Sequence, residues 1–361
     1  MRKAIVKNMM QRQCLTGRRD FLASVAAGAT LAAAVGLPGE GRAEKGDGCV
    51  KFCVFADLHY WPQCYSHDST EFLDAIIARA KAEEVDFIVH LGDMVHDCRK
   101  YRDFIDRYLD CGIPAYYCLG NHEDERQSHE VNMEMLRLKK EYYFFDVKGF
   151  RFIVTDPNYI LRDGELVHFS NSNWRTTNKR PGDRIYWIPP EQLKWLKETI
   201  DVSPYPCVVM AHESYERPGF DSVQNQEEVR AIFDAANART PGKVRLVMTG
   251  HYHVDYLRVL RGIPYLEVNS ANFFFAGKHH DKYPADYCKA HVGAHETYVY
   301  DNPLSSIITL YDSGRIRIDG AKADFWMGIT PRMGGHSGYD SDRQATAENQ
   351  SLDFNLLAGR E

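Results

Sequence analysis

Short apolar runs alternate along the chain with longer segments whose apolar residues recur every three or four positions. Residues 50–56, VKFCVFA, are apolar without alternation, as in a strand covered on both faces. Over 70–84, Phe72, Leu73, Ile76, Ile77 and Ala80 fall on one helical face. DFIVHLG (86–92) predicts a second strand and AYYCLG (115–120) a third. Between them, Phe104, Ile105, Tyr108 and Leu109 mark a helix over 100–112 that stops at Gly112. Strand–helix–strand–helix–strand predicts a parallel sheet with helices on its faces, hence an α/β fold.

The same signals continue, less regularly. Residues 150–156 predict a strand, 157–188 a long loop, and Pro189-Pro190 leads into a helix over 191–200. CVVMA (207–211) and VRLVMTG (244–250) predict strands flanking a helix over 225–237. Residues 305–320 predict a hairpin around Asp312-Ser313-Gly314. From 331 to 361 the apolar period fades and Gly, Ser and Asp rise, so this end is expected to be a loosely ordered tail.

The first 43 residues read as a secretory signal. Arg2, Lys3, Lys7 and Arg12 precede a weakly apolar Ala/Gly-rich run and a small-residue site at Gly41-Arg42-Ala43. Arg18-Arg19-Asp20-Phe21-Leu22 resembles the twin-arginine export motif, a receptor-read address. That resemblance implies the twin-arginine translocase as a partner during export, delivery to the periplasm or medium, and no stable membrane anchor. The formal charge of −6 includes this basic leader, so the remainder is more acidic. No basic stripe survives, and a nucleic-acid polymer is not an expected partner. Of nine cysteines, Cys14 leaves with the leader. None forms a CxxC pair, which argues against a thiolate zinc site. Cys53, Cys118 and Cys207 read as small buried hydrophobes, whereas Cys64, Cys98 and Cys111 are open to oxidation without a legible pairing.

The chemistry gathers where the strands end. Strand 50–56 runs into Asp57-Leu58-His59, and strand 86–91 into Gly92-Asp93. Strand 115–119 runs into Gly120-Asn121-His122-Glu123, strand 207–211 into His212-Glu213, and strand 244–249 into Gly250-His251-Tyr252-His253. Ligands of open α/β sheets bind beyond the carboxyl ends of strands. Each ending alone is an ordinary turn or helix cap. Together, Asp57, His59, Asp93, Asn121, His212, His251 and His253 form a mixed nitrogen–oxygen set suited to Zn, Mn, Fe, Co or Ni. Seven ligands exceed what one tetrahedral ion needs and suit two ions sharing a carboxylate, the arrangement that clamps both oxygens of a phosphoryl transfer.

This ordered set resembles the calcineurin-like metallophosphoesterase family, and within it the bacterial branch of cyclic-nucleotide and glycerophosphodiester phosphodiesterases. The resemblance implies an α/β sandwich of two mixed sheets flanked by helices over 44–330, with the metal site at the C-terminal ends of the strands. By motif, Asp57, His59 and His253 would hold one ion and Asn121, His212 and His251 the second, with Asp93 bridging. His122 would contact phosphate and stabilise charge on, or protonate, the leaving oxygen. The implied cofactors are two divalent or trivalent ions (Mn, Fe or Zn), and the implied reaction is hydroxide attack on phosphorus in a phosphodiester or small phosphorylated metabolite. Phosphomonoester hydrolysis on the same residues, a non-catalytic metal-binding receptor, and a dinuclear amidase or lactonase are the competing readings.

Two departures from the family pattern stand out. His96, in GDMVHD, occupies a position where relatives carry tyrosine or aspartate, so the usual carboxylate partner of His122 is missing and Asp97 or Glu123 would have to replace it. His96 itself reads as a phosphate contact or a packed turn residue. AHESYERPGF lacks the proline that often follows the histidine, which leaves the shape of that rim open. Tyr60, Trp61, Asn272, Lys278, His279 and His280 are candidate substrate contacts, set against core packing or a solvated loop. Arg175, Lys179 and Arg180 are candidates for an anion-binding lid, set against wet surface.

Overall fold

The computed structural model describes residues 48–62, 64–66, 69–172, 182–276, 279–333 and 346–358. The expected signal segment, together with Arg175, Lys179, Arg180 and Lys278, lies outside the described residues. Among the described residues no helix is long and apolar enough to cross a membrane.

Two six-stranded mixed sheets face each other. In the first, β1 (Cys49–Phe55), β2 (Phe87–His90) and β3 (Ala115–Tyr117) are parallel neighbours. In the second, β5 (Phe150–Val154), β9 (Cys207–Met210), β10 (Val244–Thr249) and β12 (Ile263–Glu267) are parallel, edged by the antiparallel β4 (Tyr143–Val147) and β11 (Tyr256–Leu260). A three-stranded sheet of β6 (Tyr159–Arg162), β7 (Glu165–His168) and β8 (Arg184–Ile185) and a ribbon of β13 (Phe273–Phe275) and β14 (Thr297–Val299) are attached. The first sheet is completed by β15 (Ser306–Tyr311), β16 (Arg315–Gly320) and β17 (Leu352–Asn355), in the order β17-β16-β15-β1-β2-β3.

The unbroken apolar run of β1 is explained by its two faces. Phe52 and Val54 point between the sheets, packing with Phe87 and Val89 of β2 and with Phe150, Phe152, Val208, Met210, Leu246 and Met248 of the second sheet. Phe52 stacks on Phe87 at 4.9 Å, and Phe152 meets Phe87 edge-on at 4.7 Å. Cys53 and Phe55 point the other way, toward α1 (Thr70–Ala82) and α2 (Arg102–Leu109). The second sheet is covered on its outer face by two further long helices, Pro190–Val202 and Gln226–Arg239, through Leu196, Ile200, Val229 and Phe233. Each such fully buried side chain contributes about 1.5–3 kcal/mol.

Two expectations change. The segment 157–188 is not a plain loop, because its described parts form β6, β7 and β8. The C-terminal tail is not loose throughout. Leu352–Asn355 pairs antiparallel with β16, and the alternation Leu352-Asp353-Phe354 puts Leu352 and Phe354 onto the inter-sheet core. Four residues were too short for that alternation to register as a strand. All eight described cysteines are free thiols.

Candidate metal centre

The loops that leave the strands are laced to one another before any side chain is counted. Asp57 donates its N–H to the Gly92 carbonyl and His59 to the Asp93 carbonyl, so the first two loops run side by side. Gly250 donates to the His212 carbonyl, and the His251 N–H reaches Asp57 Oδ2 at 2.9 Å, joining the loops of one sheet to those of the other. Asp57, His59, Asp93, His251 and His253 all have φ between 49° and 70°. Non-glycine residues pay about 1–3 kcal/mol each for that region, and such strain gathers at functional sites. Glycine appears instead where a side chain has no room. A Cβ on Gly120 would sit 2.3 Å from Asp93 Oδ1, and one on Gly250 would sit 2.7 Å from Asp57 Oδ2.

The side chains converge in two groups, one of Asp57, His59 and His253 and one of Asp93, His212 and His251. Ligands about 2.1 Å from a tetrahedral ion stand about 3.4 Å from one another. His253 Nε2 is 3.3 Å from Asp57 Oδ1 and 3.0 Å from His59 Nε2, and His59 Nε2 is 3.7 Å from Asp57 Oδ1. In the second group, His212 Nε2 is 3.0 Å from Asp93 Oδ2 and 3.2 Å from His251 Nδ1. Asp93 Oδ2 also lies 3.8 Å from His59 Nε2, so one oxygen faces both groups. Asn121 is fully buried, and neither atom of its amide has a hydrogen-bond partner among the described residues.

Tautomers sharpen the fit. His253 must donate Nδ1–H to the Phe273 carbonyl (2.8 Å), and His212 must donate Nδ1–H to the Leu91 carbonyl (2.7 Å). For neutral rings, both Nε2 atoms then carry lone pairs into the site. His59 follows by a longer chain. Glu125 Oε2 lies 3.4 Å from His96 Nδ1, which places the proton there. His96 Nε2 then accepts from His59 Nδ1–H at 2.9 Å, and His59 Nε2 is left with a lone pair 3.0 Å from that of His253. Two lone pairs at that distance repel unless a cation lies between them. Outer partners of this kind fix ligand orientation in metal sites. The charges agree. Burial alone would depress the His212 ring, yet Asp93 and Asp57 hold it well above its ordinary value. Burial alone would raise Asp57, yet His253 and His212 hold it well below the usual carboxylate range. Both shifts express a demand for positive charge among these residues.

His122 stands at the rim with its side chain 16% exposed. Its Nε2 is 3.8 Å from Asp93 Oδ2 and its Nδ1 is 2.7 Å from Glu125 Oε1. The carboxylate partner of His122 is therefore Glu125, not Asp97 or Glu123. Asp97 accepts from the Lys100 N–H and from Gln127. Glu123 is fully buried and accepts from the N–H groups of Asp93, Met94, Val95 and Gly120 and from the Tyr117 hydroxyl. It ties the loop after β2 to the loop after β3. Nothing in the spacing of GNHEDE separates these two glutamates; only the single 3-10 turn at Glu123–Glu125 turns one inward and the other toward the site. Glu125→Gln is expected to lower turnover about 10–100-fold, measured by steady-state kinetics beside elemental analysis.

The remaining sequence candidates divide. His96 is buried between His59 and His122 and positions His59, and burial with the nearby His122 depresses its ring to about 4. It is not an open phosphate contact. Tyr60 turns away from the site and stacks on Phe104 of α2 at 3.8 Å, so it belongs to the core. Asn272 is fully buried and donates to the Leu58 carbonyl and to Ser66, bracing the first metal loop rather than meeting a substrate. His279 is exposed and groups with His295 and Glu296 rather than with the seven. Its neighbour His280 donates to the Thr297 carbonyl. Trp61 lies 5.0 Å from the His96 ring, with the Arg126 guanidinium over its own ring at 4.7 Å.

Sheets, loops and ligand set define a metal-dependent phosphoesterase fold. The chain belongs to the calcineurin-like phosphoesterase family, whose model matches residues 50–255, more than half of its length. Among solved structures it is similar to a dimetal phosphatase from Danio rerio, with 16% identity, a TM-score of 0.50, and 76% of this chain and 96% of that one covered. It is also similar to GAP50, the anchor in the inner membrane complex of Plasmodium, with 13% identity, a TM-score of 0.45 and coverage of 77% and 85%. No curated protein matches the chain.

Proposed function

We propose that the protein is an exported, dinuclear metal-dependent phosphoesterase that hydrolyses phosphodiesters or small phosphorylated metabolites. The observation that carries this reading is the pair of ligand groups meeting across Asp93 Oδ2, with His122 beside them. Asp57, His59 and His253 would hold one ion, Asn121, His212 and His251 the other. Two such ions, when bound, supply positive charge to the phosphoryl oxygens and lower the pKa of water toward neutrality. The chain supplies the rest. Glu125 keeps the His122 ring turned, so that an Nε2–H donates to a phosphoryl oxygen and then to the departing alkoxide. The twin-arginine resemblance at Arg18-Arg19 supports export, and the branch resemblance supports diesters.

The test is a panel of bis-nitrophenyl phosphate, nitrophenyl phosphate and a nitrophenyl-linked lactone, after reloading with Mn, Zn or Fe. The diester should be turned over fastest. Faster monoester turnover would reassign the substrate class, and lactone turnover alone would sink the phosphoesterase reading. Chelation should also lower the melting temperature by about 16 °C, on the scale that follows. Each of the two ions at about a thousand times its Kd stabilises by about 4 kcal/mol, at about 2 °C per kcal/mol for a chain of this size.

A further inference from the structure

We propose that Asp124, Asp156, His129 and His168 form a third metal site, separate from the dinuclear centre, that takes one divalent ion of the zinc–manganese class. None of the four is among the seven ligands already described. Each comes from a different place in the fold. Asp124 lies in the turn after β3, His129 opens the helix His129–Met135, Asp156 follows β5, and His168 ends β7.

Asp124, His129 and His168 bring ligand atoms within 4.8 Å of one another, and Asp156 approaches the group through His168. His168 Nε2 lies 3.0 Å from Asp156 Oδ2 and 3.8 Å from Asp124 Oδ2, bracketing the separation of about 3.4 Å that a shared tetrahedral ion sets. The His129 ring lies against that of His168 at 4.1 Å. Both carboxylates are prepared in the same way. Asp124 Oδ1 accepts from the Asn132 amide at 2.7 Å, and Asp156 Oδ1 accepts from the Asn158 amide at 2.8 Å. In each case one oxygen is pinned and the other is turned to His168, the outer support that metal-binding carboxylates need. His168 Nδ1 is engaged by Ser170 at 2.8 Å, which fixes the ring.

A plain buried ion pair between His168 and Asp156 does not account for the group. Asp124 is 3% exposed, and its Oδ2 has no hydrogen-bond partner among the described residues; neither has the buried Nδ1 of His129. Buried polar atoms are almost always satisfied. One cation among the four satisfies both. Two imidazoles and two carboxylates select borderline divalent ions over Ca or Mg. Asp124 shares its turn with Glu123 and Glu125, so an ion there would also hold the segment that positions His122.

The test is a metal count on the full chain, stripped, reloaded with zinc and desalted, for the wild type, Asp124→Asn, His129→Gln and Asp93→Ala. The expected counts are three for the wild type, two for Asp124→Asn and for His129→Gln, and one for Asp93→Ala. Two in the wild type, unchanged in Asp124→Asn and His129→Gln, would overturn the site. Should those variants fail to fold, anomalous diffraction at the zinc edge from wild-type crystals decides. A peak at about 2.1 Å from His168 Nε2 supports the site, and peaks confined to the Asp57 and Asp93 groups refute it. No substrate enters the count, so a protein with three ions and no hydrolysis would contradict the proposed function and leave this site standing.

Discussion

Replacing His122 with alanine should lower turnover of a phosphodiester by about 10²–10⁴-fold while the dinuclear centre keeps both ions. The separation of these effects follows from geometry. His122 belongs to neither the Asp57 nor the Asp93 ligand group, and its ring is held from behind by Glu125. Its backbone N–H, which donates to Asp93 Oδ1 at 2.8 Å, survives the substitution, so the bridging carboxylate stays oriented. What disappears is the donor facing the leaving oxygen. The loss should therefore shrink as the leaving group becomes more acidic, because a good leaving group needs no proton. Metal content and a series of aryl phosphodiesters check both parts. An equal loss across the series would assign His122 to phosphate binding instead of proton donation.

Glu123→Ala should be the most destabilising single change near the site. It leaves four backbone N–H groups and the Tyr117 hydroxyl without their acceptor in a place water does not reach. Orphaned buried donors cost about 1–3 kcal/mol each before relaxation, so a net loss of about 4 kcal/mol is expected. That is a large share of the roughly 5–15 kcal/mol by which domains are stable. Glu123→Gln, which keeps an acceptor oxygen, should lose less than half as much. Urea denaturation midpoints of the two variants make the comparison. Equal losses would mean that the charge, not the acceptor geometry, holds the loops together.

What was legible in the sequence was whatever depended on one strand and its end. The unbroken apolar run of β1 and the helical period from Phe72 to Ala80 describe elements buried by their own pattern, and both are where the pattern puts them. The seven ligand candidates were visible because each follows a buried strand directly, and parallel strands deliver their ends to one edge. Features built by pairing were not legible. β4 and β11 are short edge strands that fold back on their neighbours β5 and β12, β17 pairs with β16 across a long stretch of sequence, and Leu352-Asp353-Phe354 carries too few residues to show a period. The distinct roles of Glu123 and Glu125 depend on one 3-10 turn. Glycine is the residue that positive φ suggests, yet Asp57, His59, Asp93, His251 and His253 adopt it, and residue type gives no sign of that. Tyr60 stayed open between substrate contact and core because adjacency to His59 in sequence does not mean adjacency in space. The left-handed turns at Asp57 and His59 end the strand's alternation, and the Tyr60 ring stacks on Phe104 of α2 instead.

The central claim is that Asp93 Oδ2 lies between two ions that the chain uses for phosphoester hydrolysis. It is tested most directly by metal content and bis-nitrophenyl phosphate turnover of the same samples, wild type against Asp93→Ala. The account predicts that the variant loses two ions per chain relative to the wild type and loses turnover with them. A variant that keeps its ions, or a wild type that holds them and hydrolyses no phosphoester under any metal, would contradict it.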